Sequence, residues 1–115
     1  MNPFEQQLTG GQATYIERYS YDPESRSFEM IVFHDPESSR DFRVLRGTGI
    51  ESYEDTPYEP ESDVLESIIG ADQSLREDGR LVTFFRTDYH EITVVGGDFT
   101  LEHRAPGERR DGLPC

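Results

Sequence analysis

Apolar and polar residues alternate along most of this chain with a period of two, the spacing that sends successive side chains to opposite faces of a strand. The pattern is clearest in the last third. Residues 80–87, 90–95 and 98–103 alternate cleanly and are separated by Asp88 with Tyr89 and by Gly96 with Gly97. Two adjacent glycines accept the positive φ angles of a two-residue hairpin turn, so the sequence predicts a meander. Turning at Gly96 and Gly97 sets Val94 against Phe99, Ile92 against Leu101 and His90 against His103. Turning at Asp88 and Tyr89 sets Phe85 against Ile92 and Arg86 against Glu91. Both registers put Leu81, Phe85, Ile92, Val94, Phe99 and Leu101 on one face.

The first half follows the same rule. After a loose leader over residues 1–12, Tyr15, Tyr19 and Tyr21 share one parity in a strand over 13–21, with Glu17 interrupting it. Asp22-Pro-Glu-Ser supplies turn chemistry. Residues 27–33 are apolar on both faces, with Phe28, Met30 and Val32 opposite Ile31 and Phe33. A second Asp-Pro-Glu-Ser at 35–38 reads as the same strand-and-turn chemistry used again. The third strand covers 41–47. Placing Phe33 opposite Phe42 also sets Ile31 against Val44 and Glu29 against Arg46, two apolar pairs and one opposite-charge pair in a single register. Gly47-Thr-Gly49 ends that strand, and a short fourth covers 50–53.

One segment has helical spacing. Val64, Leu65, Ile68 and Ile69 share a face over 62–69, Asp63 with Glu66 resembles a capping box, and Gly70 suits a C-cap. A polar connection over 71–79 follows. The expected fold is α+β: a mostly antiparallel sheet of about six to seven strands in meander hairpins, with one short helix between the N-terminal and C-terminal strand groups. At 115 residues there is room for one core, and we assign 1–103 to a single domain and 104–115 to a flexible tail.

Charge narrows the function classes. Eleven basic residues, all arginine, face 24 acidic ones, for a net charge of −13. Such a chain repels phosphate backbones and anionic lipid, which argues against nucleic-acid and membrane partners. A GC-rich source, or adaptation to a salty cytoplasm, is an alternative origin of the same composition. The single cysteine, Cys115, cannot form an internal disulfide, and the leader lacks the basic and apolar regions of a signal peptide. The expected location is the cytoplasm.

Between Arg46 and Arg76 there is no basic residue but eight acidic ones, so −8 of the −13 falls in a quarter of the chain. Carboxylates steer a basic partner and tyrosine rings supply contact area. Glu51, Tyr53, Glu54, Asp55, Tyr58, Glu59, Glu61 and Asp63 are therefore the predicted partner-binding residues. The expected function is a non-enzymatic module that binds a basic protein partner, with homodimerisation through an aromatic edge as a further option. In size, charge and architecture the chain resembles small acidic bacterial immunity proteins, which implies an inhibitor-like binder.

The rival reading is a small-molecule or metal site at His90 and His103, which the predicted Gly96-Gly97 hairpin brings side by side beside the aromatic face. Asp88 or His34 would have to complete it. No HExxH, CxxC, GxSxG or phosphate-loop pattern accompanies the histidines. No catalytic residue and no cofactor is assigned.

Overall fold

Two long strands form the spine of the computed structural model, which describes residues 3–34, 42–60 and 65–104. They are β3, Phe42–Pro57, and β6, His90–Arg104, antiparallel partners from Phe42 opposite Arg104 to Pro57 opposite His90. β2, Ser27–Phe33, and β1, Tyr15–Asp22, flank β3 on one side; β5, Leu81–Thr87, and β4, Ile68–Leu75, flank β6 on the other. The sheet order is β1-β2-β3-β6-β5-β4 with every neighbour antiparallel. Together with one helix, α1, Pro3–Thr9, this is an α+β fold dominated by strand.

The two halves match. β1-β2-β3 and β4-β5-β6 are each a three-stranded meander, of 8, 7 and 16 residues and of 8, 7 and 15 residues. Each has a one-residue bulge near the start of its first strand, at Glu17 and at Ile69. The approximate two-fold axis crosses the β3–β6 pair where Thr48 faces Asp98 and Ile50 faces Gly96.

Curvature then closes the sheet on itself. Phe28 on β2 and Phe85 on β5 stack with ring centroids 5.7 Å apart, although three inter-strand steps would separate them by about 14 Å in a flat sheet. At one end the edges meet: Tyr15 bridges Ser67, Ile16 N–H donates to Glu66 O at 2.8 Å, and Ile68 N–H donates to Thr14 O at 2.9 Å. The result is a partly closed six-stranded barrel. Phe28, Met30, Leu45, Ile50, Ile92 and Val94 fill its interior, each at most 2% exposed. From the inner side α1 contributes Leu8 and Phe4, and Glu5 accepts the edge-strand N–H of Ala71 at 3.0 Å. Ile31, Phe33 and Val44 are also buried, on the opposite face of β2 and β3.

Both apolar registers with short-range support are present as predicted. Phe33–Phe42, Ile31–Val44 and Glu29–Arg46 pair across β2 and β3; Phe85–Ile92 and Arg86–Glu91 pair across β5 and β6. Several expectations need correction. Gly47-Thr-Gly49 does not end β3, and Gly96-Gly97 is not a hairpin turn: β6 runs straight through, and Phe99 and Leu101 pair with Gly47 and Leu45 on β3 rather than with Val94 and Ile92. Gly49, Gly96 and Gly97 do take positive φ, of 71°, 81° and 95°, but they spend it on bending a continuous ladder. The extra residue there is Glu51, a bulge between Ile50 and Ser52.

The helix is elsewhere. Leu65–Ile69 is not helical, and β4 begins at Ile68 and continues to Leu75 through what reads as a polar connection; Ser62 to Val64 lie outside the described residues. An edge strand has one neighbour to satisfy, so Gly, Asp, Gln and Ser are tolerated there. Ile69, which fits the helical stripe, is the bulge residue and is 57% exposed. The leader, predicted to be loose, instead forms α1. Of the tail, Arg104 belongs to β6 and 105–115 lie outside the described residues.

Candidate functional site

Strand alternation divides the acidic segment between two faces. In the second half of β3, Tyr53 and Asp55 point into the barrel, while Glu54 points out with Ser52 and Thr56. Glu51, in the bulge, is held by Arg80 at 2.6 Å. Tyr58 is 39% exposed, under the Arg86 guanidinium at 5.3 Å, with its hydroxyl donating to Thr87 O. Glu59 is exposed, and Glu61 and Asp63 lie outside the described residues. The predicted partner-binding residues are thus not one display.

The inward pair belongs to a polar lock. Asp55 accepts the Tyr19 hydroxyl at 2.7 Å through one oxygen, and its other lies 2.6 Å from His90 Nδ1. A carboxylate only accepts, so Nδ1 carries the hydrogen. The side chains of His90 and Asp55 are 13% and 24% exposed. Burial, and then the hydrogen bond to Asp55, push the Tyr19 phenol far above its ordinary value; burial and the Asp55 charge do the same to Tyr53, whose ring stacks on Tyr21 at 4.6 Å. Next to this group Thr87 Oγ1 donates to Glu66 and accepts the His90 N–H at 2.9 Å, while Asp88 accepts both Ser67 N–H and Oγ–H at 2.8 Å. These bonds tie β1, β3, β5 and β6 to the residues just before β4 where the barrel closes, and Asp55 has committed both its oxygens to neighbours.

His90 and His103 occupy opposite ends of β6, with partners Pro57 and Arg43. The predicted metal pair therefore loses the proximity on which it rested. Among the described residues no group of three His, Cys, Asp or Glu side chains is placed to hold a metal ion.

The outward residues form an ordered surface. Glu54 on β3 faces Thr93 on β6, Thr93 faces Phe84 on β5, and Phe84 faces Asp72 on β4: one cross-strand row with a carboxylate at each end. The adjacent row is Ser52, Val95, Val82 and Ser74. Phe84, Val82 and Val95 are half-buried, and Glu54 and Asp72 are exposed. Among the described residues neither carboxylate meets a basic side chain. Sequence reasoning missed this row because Phe84 and Asp72 join Glu54 only through the long-range β3–β6 pairing.

Architecture and surface define a partly closed antiparallel barrel with an acid-flanked apolar outer strip. The chain matches no protein-family model, no curated protein and no solved structure. No helix among the described residues is long and apolar enough to cross a membrane.

Proposed function

We propose that this chain is a non-enzymatic interaction module of the cytoplasm that binds a basic protein partner. The observation that carries the reading is the Glu54–Thr93–Phe84–Asp72 row: an aromatic ring on an outer sheet face between two carboxylates that no described arginine neutralises. An apolar strip with like charge on both flanks suits a partner strand or helix bearing arginine or lysine on either side of an apolar residue. The ring and valines supply contact area while the charges set orientation and encounter rate. This narrows the contact from the whole acidic segment to Glu54, Asp72 and the apolar residues between them.

The test is an NMR titration with a short peptide alternating arginine and valine. Shifts centred on Thr93, Phe84 and Asp72 are expected, with affinity falling at least about tenfold between 50 and 300 mM salt. E54Q with D72N is expected to remove that salt dependence and leave stability unchanged. Binding indifferent to salt and to this double substitution, or shifts elsewhere on the barrel, would overturn the proposal.

A further inference from the structure

Arg43 is set apart from Arg18, Arg46 and Arg86. Those three each meet a carboxylate, at 3.9, 3.1 and 3.8 Å. Arg43 points to the inner face and, among the described residues, contacts no acid. Its Nη1 donates to the main-chain carbonyls of Gln7 and Leu8, both at 3.1 Å, near the end of α1. This anchorage fixes the guanidinium without cancelling its charge. His103 is its direct cross-strand neighbour on β6, so two nitrogen-rich side chains stand together on a protein of net charge −13.

They border a hollow. Gln7, Arg43, Leu101 and His103 line an open cavity of about 500 Å³. It adjoins a narrower recess of about 90 Å³ between α1 and the sheet, with which it shares Gln7 and Leu101. Phe4, Leu45 and Phe99 give that recess an apolar wall. Leu101, 37% exposed, lies at the junction. Barrel mouths with apolar walls and a few convergent polar groups are common small-ligand sites.

We propose that this mouth binds a small organic carboxylate with a short apolar tail. The carboxylate pairs with the Arg43 guanidinium beside His103, and the tail runs past Leu101 towards Phe99 and Leu45. A fixed guanidinium is preorganised to receive a carboxylate. An ammonium would be repelled, and an alcohol would gain the apolar wall without the charge. The site is on the inner face at the α1 end, separate from the outer Glu54–Asp72 row, so binding at one does not require binding at the other.

Hexanoate is the probe, with hexanol and hexylamine as controls, followed by the methyl resonances of Leu101 and the side-chain N–H of Arg43. Hexanoate is expected to bind at least tenfold more tightly than either control. R43Q is expected to reduce hexanoate affinity to that of hexanol and leave hexanol unchanged. Because Arg43 also holds α1, R43Q could loosen the helix; L101D, at a part-exposed position, then decides. Loss of hexanoate binding in a folded L101D protein supports the site. Equal binding of the three probes, or hexanoate binding that survives L101D, overturns it.

Discussion

Gly97→Ala separates a continuous β6 from the hairpin that the sequence suggests. A Cβ on Gly97 would lie 2.5 Å from Ile50 Cδ1 and 3.0 Å from the Thr48 carbonyl oxygen, at a φ of 95°. Positive φ costs an L-residue about 1–2 kcal/mol, and displacing a fully buried isoleucine adds about 1–3 kcal/mol. The expected loss is therefore about 2–5 kcal/mol, a large part of the roughly 5–15 kcal/mol that holds a domain together. Its neighbour is the control. At Gly96 the nearest atoms belong to the exposed Glu51 side chain, at 2.9 Å, which can move only by loosening its exposed ion pair with Arg80, and at Gly49 nothing lies within 4 Å. Gly49 should lose only the conformational cost, about 1–2 kcal/mol, and Gly96 that cost plus no more than about 1 kcal/mol for the exposed Glu51–Arg80 pair. Urea unfolding of the three alanine variants gives the ranking through the midpoint and slope. In a hairpin with Gly96 and Gly97 at the tip, both methyl groups would face solvent. Equal losses at 96 and 97 would refute the continuous strand.

Asp55→Ala strips partners from both the Tyr19 hydroxyl and His90 Nδ1; a loss of about 2–4 kcal/mol is expected by thermal or urea unfolding, and a loss below 1 kcal/mol would mean that the lock contributes little. Tyr19 and Tyr53 are held neutral in the fold, with pKa values raised above the unfolded value near 10. Their contribution to stability is complete below pH ~10 and is lost as pH rises further, because the unfolded chain ionises where the folded chain resists. Absorbance titration should accordingly show Tyr19 and Tyr53 ionising only as the protein unfolds, and Tyr19→Phe should remove one of these two delayed ionisations. By contrast, Arg46→Ala, which breaks partly exposed ion pairs to Glu29 and Glu102 at 3.1 and 2.9 Å, should cost no more than about 1 kcal/mol in the same unfolding assay.

The β2–β3 and β5–β6 registers were legible because each joins neighbouring strands and fixes its own alignment: Glu29 with Arg46 in one, Arg86 with Glu91 in the other. The β3–β6 pair has no such local marker. It joins residues tens of positions apart, and nothing near Gly47 or Gly96 announces the distant partner. A glycine pair between two alternating runs signals positive φ, which serves a turn and a bend in a ladder equally well. β4 was hidden for another reason. Its inner face offers only Ile68, Ala71, Gln73 and, at its exposed end, Leu75, and Ile68 with Ile69 completes a helical stripe as readily as it starts an edge strand. These errors together misplaced the chemistry. A hairpin at Gly96 joins His90 to His103, whereas the observed pairing gives His90 to Asp55 and Tyr19 and puts His103 beside Arg43. The acidic run at 51–66 was plain in the sequence, but its division into inward and outward residues needed the strand.

Every surface assigned above depends on which strand lies beside the second half of β6, and nuclear Overhauser contacts read that directly. Leu101 should show cross-strand contacts to Leu45, and Phe99 to Gly47, with none between Leu101 and Ile92. Contacts of Leu101 with Ile92 and of Phe99 with Val94 would restore the hairpin and dismantle both the barrel mouth at Arg43 and the row from Glu54 to Asp72.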